Sequence, residues 1–187
     1  MRPEIKGLVS KLSARTGAIY EFECVGPDGK VKWREAITNI IPVEGRNFYL
    51  DATLKEASQP TDWYVGLIDD TNWTEVASDD TAAKISTTKN HPTTNDWQEL
   101  DDYSESTRPV LTLGTVASGS VDNSASKASY SINATVTIRG AFVVSSSVKG
   151  GTAGTLLSAG AFSSTRSAQN GDTLNVTVTL TMADDGV

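Results

Sequence analysis

The chain has 187 residues, 38% hydrophobic and 21% charged: long enough to bury a core and too sparsely charged for a disordered polyelectrolyte. Its formal charge of −7 comes with no basic stripe, which argues against a reader of phosphate backbones. Cys24 is the only cysteine, so an intramolecular disulfide framework is excluded.

Residues 1–15 read as an arm, with Lys6, Lys11 and Arg15 interspersed among Leu8, Val9 and Leu12. The segment suits a short helix or an extended strap. Met1-Arg-Pro-Glu-Ile-Lys6 has no apolar run, so no signal peptide is expected. No stretch approaches the ~20 apolar residues of a membrane span. Residues 16–187 read as a single β-rich domain.

Residues 17–37 predict a β-hairpin, strand Ala18–Val25 and strand Lys30–Ala36. Pro27-Asp28-Gly29 supplies the turn, because Pro presets φ and Gly accepts a positive one. Cys24 shares a strand face with Tyr20 and Phe22, which predicts a buried structural thiol. Residues 44–57 predict the one helix, with Phe48, Leu50, Ala52 and Leu54 as its apolar residues and Glu44 or Asn47 as its cap. Pro60 forbids its continuation. Trp63-Tyr-Val-Gly-Leu-Ile68 is a nearly continuous apolar run and predicts a central strand covered on both faces. Residues 70–107 then read as a long polar loop, with a helical turn near Asp79–Lys84 and with Trp73 and Trp97 as anchors.

From Arg108 to Met182 the chain alternates small polar and apolar residues. Strands are expected at Pro109–Val116, Ala128–Asn133, Thr135–Val144, Thr155–Phe162 and Thr173–Met182. The last is the clearest. Leu174, Val176, Val178, Leu180 and Met182 form one face; Thr173, Asn175, Thr177, Thr179 and Thr181 form the other. Clusters such as Ala117-Ser-Gly-Ser120 and Asn170-Gly171 punctuate the strands. The fold class expected is all-β, a β-sandwich or jelly-roll-like barrel, with one short helix and an N-terminal arm.

Few residues carry chemistry. His91 is the only histidine, set in Thr88-Lys-Asn-His91-Pro92 with no G-x-S-x-G partner. The acidic pairs Asp69-Asp70, Asp79-Asp80, Asp101-Asp102 and Asp184-Asp185 lack the spacing of a calcium loop, so solvated loop charges are expected. Gly150-Gly151-Thr-Ala-Gly154 lacks the lysine of a phosphate-binding loop. No catalytic residue, metal site or cofactor is expected. The candidate contacts are aromatic and apolar: Leu8, Val9 and Leu12 in the arm, with Trp73, Trp97 and Tyr103 in or near polar stretches.

Several segments stand in a familiar order. They run from Trp33-Arg-Glu35 and Asn39-Ile-Ile41 to Gly45-Arg-Asn-Phe-Tyr-Leu-Asp51 and Trp63-Tyr-Val-Gly-Leu-Ile68. Next come Trp97-Gln-Glu-Leu-Asp-Asp-Tyr103, Arg108-Pro109, Ser124-Ala-Ser-Lys127 and Gly140-Ala-Phe142. Leu157-Ser-Ala-Gly160, Phe162-Ser-Ser164, Arg166 and Asn170-Gly-Asp-Thr-Leu-Asn-Val176 close the series. This order, over roughly residues 30–182, resembles small structural virion proteins of tailed bacteriophages. The resemblance implies a non-enzymatic capsid decoration or cement protein, made in the host cytoplasm and placed on the capsid surface. Its implied partners are the major capsid protein and further copies of itself, a trimer being favoured, with neither nucleic acid nor membrane. The alternative is a tail or fibre component whose Trp97 and Tyr103 stack on a host-surface glycan.

Overall fold

A computed structural model describes residues 15–71, 73–86 and 97–183. The arm residues Leu8, Val9 and Leu12, and His91, lie outside the described residues. Among the described residues, ten strands and one α-helix follow one another: β1 Arg15–Val25, β2 Val31–Thr38, α1 Val43–Leu54, β3 Tyr64–Asp69, β4 Ile85–Ser86 and β5 Trp97–Leu100. Then come β6 Ser120–Asp122, β7 Ala128–Ser131, β8 Val136–Val144, β9 Leu156–Ala168 and β10 Thr173–Ala183. A 3-10 turn at Ala82–Lys84 precedes β4.

Two sheets face each other, as the alternation predicts. The first runs β2-β1-β10, and the far edge of β10 pairs with β7 at Thr173–Val176 and with β6 at Thr179–Thr181. The second runs β4-β5-β3-β8-β9. Every pairing is antiparallel except β4 with β5. Register explains the core. Tyr20, Phe22 and Cys24 stand opposite Val178, Val176 and Leu174, so one face of β1 and β10 forms a single apolar layer. That layer packs on Val65, Leu67, Ala141, Val143, Leu157 and Phe162 of the second sheet.

The second sheet is apolar on its other face as well. Ile68, Phe142, Val144, Leu156 and Ala159 pack beneath Ala82, Ile85 and Trp97, with Trp73 and Val76 at the margin. The second sheet therefore has an apolar cluster on each face, and β3 is its middle strand, covered on both sides. This accounts for its unbroken apolar run. Gly66 has its own reason: a Cβ there would sit 2.1 Å from the Phe142 ring, which lies across the strand in the glycine's space.

Several boundaries shift. Pro109–Val116 is not a strand: Val110 makes one bridge to Tyr64 and the rest is irregular. On the edge away from β8, the start of β3 bonds Pro109 and Leu111 (Val65 N–H to Pro109 O, 2.9 Å; Leu111 N–H to Trp63 O, 2.7 Å), and β3 does not extend further back to pair with the chain beyond, which is held by Gly114 N–H to Asp122 O (2.8 Å). The polar stretch 70–107 is not structureless, since it holds the 3-10 turn, β4 and β5. The helix ends at Leu54, and neither Glu44 nor Asn47 caps it; Pro42 is the N-cap and has no side-chain bond to give. Glu44 instead accepts N–H bonds from Ala82 (2.9 Å) and Leu156 (2.6 Å), fixing the helix to the second sheet. β9 runs on to Ala168, with Leu157 as an extra residue that lets Leu157 and Ser158 both face inward.

Candidate functional site

A helix surface has one face per 3.6 residues, so Phe48, Leu50, Ala52 and Leu54 cannot share one. Phe48, Tyr49, Ala52 and Thr53 turn toward the sheets, while Leu50 and Leu54 are 56% and 76% exposed. Gly45 sets how close the inner face sits, because a Cβ there would lie 2.2 Å from Leu157 O. Beneath the second half of α1 this leaves a groove of about 430 Å³ at one end of the sandwich.

Its walls are nearly all apolar. Phe48 stacks edge-on against Trp63 at 5.0 Å, and Leu111, Leu113, Val116 and Leu157 continue the lining. The end of β10, Leu180 to Met182, forms the opposite wall. The segment between them is held by a tight hairpin. Ser118 and Gly119 both have positive φ (50° and 71°), the signature of a two-residue hairpin turn. Ala117 and Ser120 exchange N–H···O bonds of 2.9 Å, and Met182 N–H donates to Gly119 O at 2.8 Å. A side chain at Gly119 would strike Met182 O, so close approach and backbone conformation both require glycine there. Val116 (71% exposed) and Met182 (50%) stand on the rim.

The groove offers burial, not acid–base chemistry. Its polar groups are the hydroxyls of Tyr49, Thr53, Ser120 and Thr181 and the amide of Gln59. Burial pushes the Tyr49 phenol up, which keeps it protonated. Among the described residues no group of three or more His, Cys, Asp or Glu is placed to hold a metal. No described helix is long and apolar enough to cross a membrane.

The aromatic residues singled out from sequence do not converge on this groove. Trp97 is 1% exposed, packed on Phe142 with the Lys84 ammonium 5.5 Å from its ring centre. Tyr103 is 2% exposed, edge-on to Tyr130 at 5.0 Å and capped by the Lys149 ammonium at 3.8 Å. Both rings are core, so neither offers a face to a ligand. Trp73 is half-buried beside the same outer core as Trp97, with the Arg139 guanidinium 5.1 Å over its ring. The polar flanks of these residues suggested surface, but Gln98 and Glu99 beside Trp97 are themselves buried, whereas Tyr103 turns inward between exposed Asp101 and Ser104. Glu99 and Arg108 form a bidentate pair (2.8 and 2.7 Å) with both side chains fully enclosed. Arg108 also donates to Ser146 O and Gly151 O, and Glu99 accepts the Gly150 N–H.

Cys24 is buried, as its strand face predicts, and donates to Asp172 Oδ2 at 3.6 Å. Burial, with the Asp172 charge beside it, pushes the thiol up to about 11. It is not a nucleophile at neutral pH. The groove residues Phe48, Tyr49, Trp63, Leu113, Val116 and Met182 had one legible signal: α1 carries apolar residues on two faces, more than one buried face accounts for. No protein-family model and no curated protein matches the chain.

Proposed function

We propose that the protein is a non-enzymatic structural component of a tailed-bacteriophage virion, a capsid decoration protein that binds across neighbouring shell subunits. One observation carries the reading beyond sequence resemblance: large apolar side chains stand solvent-facing around an apolar groove at one end of the sandwich. Surfaces of this kind mark contact with another macromolecule. Val116 and Met182 on the rim, Leu50 and Leu54 on the outer stripe of α1, and the arm residues Leu8, Val9 and Leu12 are the proposed contacts. A shell presents many equivalent partners, so modest contacts repeated by a homo-oligomer hold firmly. The glycan-binding alternative loses its stacking platforms, because Trp97 and Tyr103 are core.

Copy number in purified particles tests the reading, measured by quantitative mass spectrometry against the major capsid protein. Hundreds of copies per particle are expected. A dozen or fewer would place the protein in the tail or portal, and absence from particles would end the virion reading.

A further inference from the structure

The two outer edges of the first sheet differ in kind. β2 forms one of them and carries Lys32 and Arg34 along it. Charges on an edge strand keep it from pairing with another chain. The other edge lies beyond β6. There the chain folds back through the Ser118–Gly119 turn, so that Thr112–Val116 runs beside β6. Gly114 N–H donates to Asp122 O at 2.8 Å, and Ala117 bridges to Ser120. From Val110 to Val121 the chain has no charged residue and no proline. None of the devices that blunt a free edge is present here.

The backbone of this edge is also unspent. Thr112 to Val116 are all exposed, none has a positive φ, and neither turn nor bend interrupts them. Among the described residues, the Gly114 N–H is the only main-chain group of the five that bonds within the protein. Successive residues of an extended chain turn their N–H and C=O groups to opposite edges. With Gly114 committed to β6, those of Leu113 and Thr115 face away from it. The groove that Leu113 and Val116 line runs beside this edge, and no charged residue lines it.

We propose that Leu113–Thr115 is a strand-addition edge, where an uncharged extended segment of a neighbouring shell subunit joins the first sheet. Main-chain bonds to Leu113 and Thr115 hold the segment, and the groove takes its apolar side chains at alternate positions. Charge fixes the chemistry of the occupant: a charged side chain laid here would lose water and gain no counter-ion. The shell as source of the segment rests on the proposed function. The same step explains a stretch with a strand's composition and no ladder: the strand that completes it belongs to another chain.

Purified variants added to particles lacking the native copy test it. Thr115→Pro deletes the outward N–H and breaks no bond among the described residues. Thr115→Val keeps the N–H and removes the hydroxyl. Thr112→Pro places proline where the N–H faces the β6 side. Thr115→Pro is expected to lower occupancy at least about tenfold, while the other two attach as the parent does. Parent-like attachment of Thr115→Pro would overturn strand addition and leave the virion reading standing. Equal loss with Thr115→Val or Thr112→Pro would overturn it too, since the hydroxyl or the fit of the stretch would then be the cause. Failure of the parent to attach would remove the shell itself as partner. Light scattering separates a second copy from the shell: a lower oligomeric mass for isolated Thr115→Pro than for the parent would give the edge to another copy and overturn the assignment. Amide hydrogen exchange needs no substitution. The Leu113 and Thr115 amides of the parent are expected to exchange more slowly on the particle than in free protein, and unchanged exchange would reject strand addition.

Discussion

Arg108 and Glu99 show how a charged pair serves as core. Each is fully enclosed, and the guanidinium reaches the carboxylate, Ser146 O and Gly151 O. Removing one partner strands the other charge away from water. Arg108→Met is therefore expected to cost about 3–5 kcal/mol in denaturant unfolding. Adding Glu99→Gln should recover part of that, since the stranded charge is then gone. A single-variant cost under ~1 kcal/mol would mean that water reaches the site. Asp172 is the second polar residue at risk. Burial raises its carboxyl, but the Lys32 ammonium (2.7 and 2.9 Å) and the Gln169 N–H (2.8 Å) outweigh it and hold the group below its usual range. A carboxylate lowered by folding adds stability above its unfolded pKa of about 3.9, and that stability drains as pH falls through the lower folded value. Asp172→Asn should thus destabilise the protein at pH 7 and flatten the acid limb of stability below about pH 4. Parallel acid limbs for variant and parent would show that Asp172 is not a source of it. The Cys24 thiol, raised by burial, should remain unmodified by a thiol reagent at pH 8 until the protein unfolds.

At the scale of elements, two glycines admit close approaches: Gly45 between α1 and β9, and Gly66 between the neighbouring strands β3 and β8. Gly45→Ala would drive a Cβ into backbone at Leu157, which has no rotamer to escape by; Gly66→Ala meets only the Phe142 ring. Both overpack, at about 1–3 kcal/mol each, and Gly45→Ala is expected to be the worse. Equal losses in thermal unfolding would mean that α1 slides over β9 freely. The same contrast between local and tertiary causes separates what was legible in the sequence from what was not. β10 was legible from Leu174 to Val178, where every second residue is buried in one layer; beyond it the expected buried face opens, with Leu180 half-buried and Met182 50% exposed. β3 was legible as a doubly covered strand for the same reason. β5 was missed because Gln98 and Glu99 read as surface, and only Arg108 and the Gly150 loop, brought in by the fold, make Glu99 a core residue. Pro109–Val116 failed in the opposite sense. It has a strand's composition, but β3 offers it no ladder beyond Leu111, so Leu113 and Val116 line a groove instead. The candidate contacts followed suit: tryptophan and tyrosine among polar residues pointed to surface, whereas the exposed apolar positions belong to aliphatic residues no short motif marks.

At the scale of the whole molecule, the two sheets and α1 leave one face with unspent apolar surface. The inner core is closed by sheet against sheet and the outer core by the segment through Trp73 and Ile85. The groove end has no third layer among the described residues, and its rim residues stand in solvent. A substitution there touches no packed core, so Val116→Asp should leave unfolding within about 0.5 kcal/mol of the parent. The proposed function gives it a larger effect on assembly. Purified Val116→Asp protein, added to particles lacking the native copy, should attach at a small fraction of the parent's occupancy. Leu50→Asp/Leu54→Asp, on the outward stripe of α1, separates two geometries. If that variant still attaches while Val116→Asp does not, the shell is met at the groove rim and α1 faces outward. If both fail with stability intact, the contact wraps the helix. If both attach as the parent does, the exposed apolar face is not the surface that meets the shell, and contact through polar loops would have to replace it.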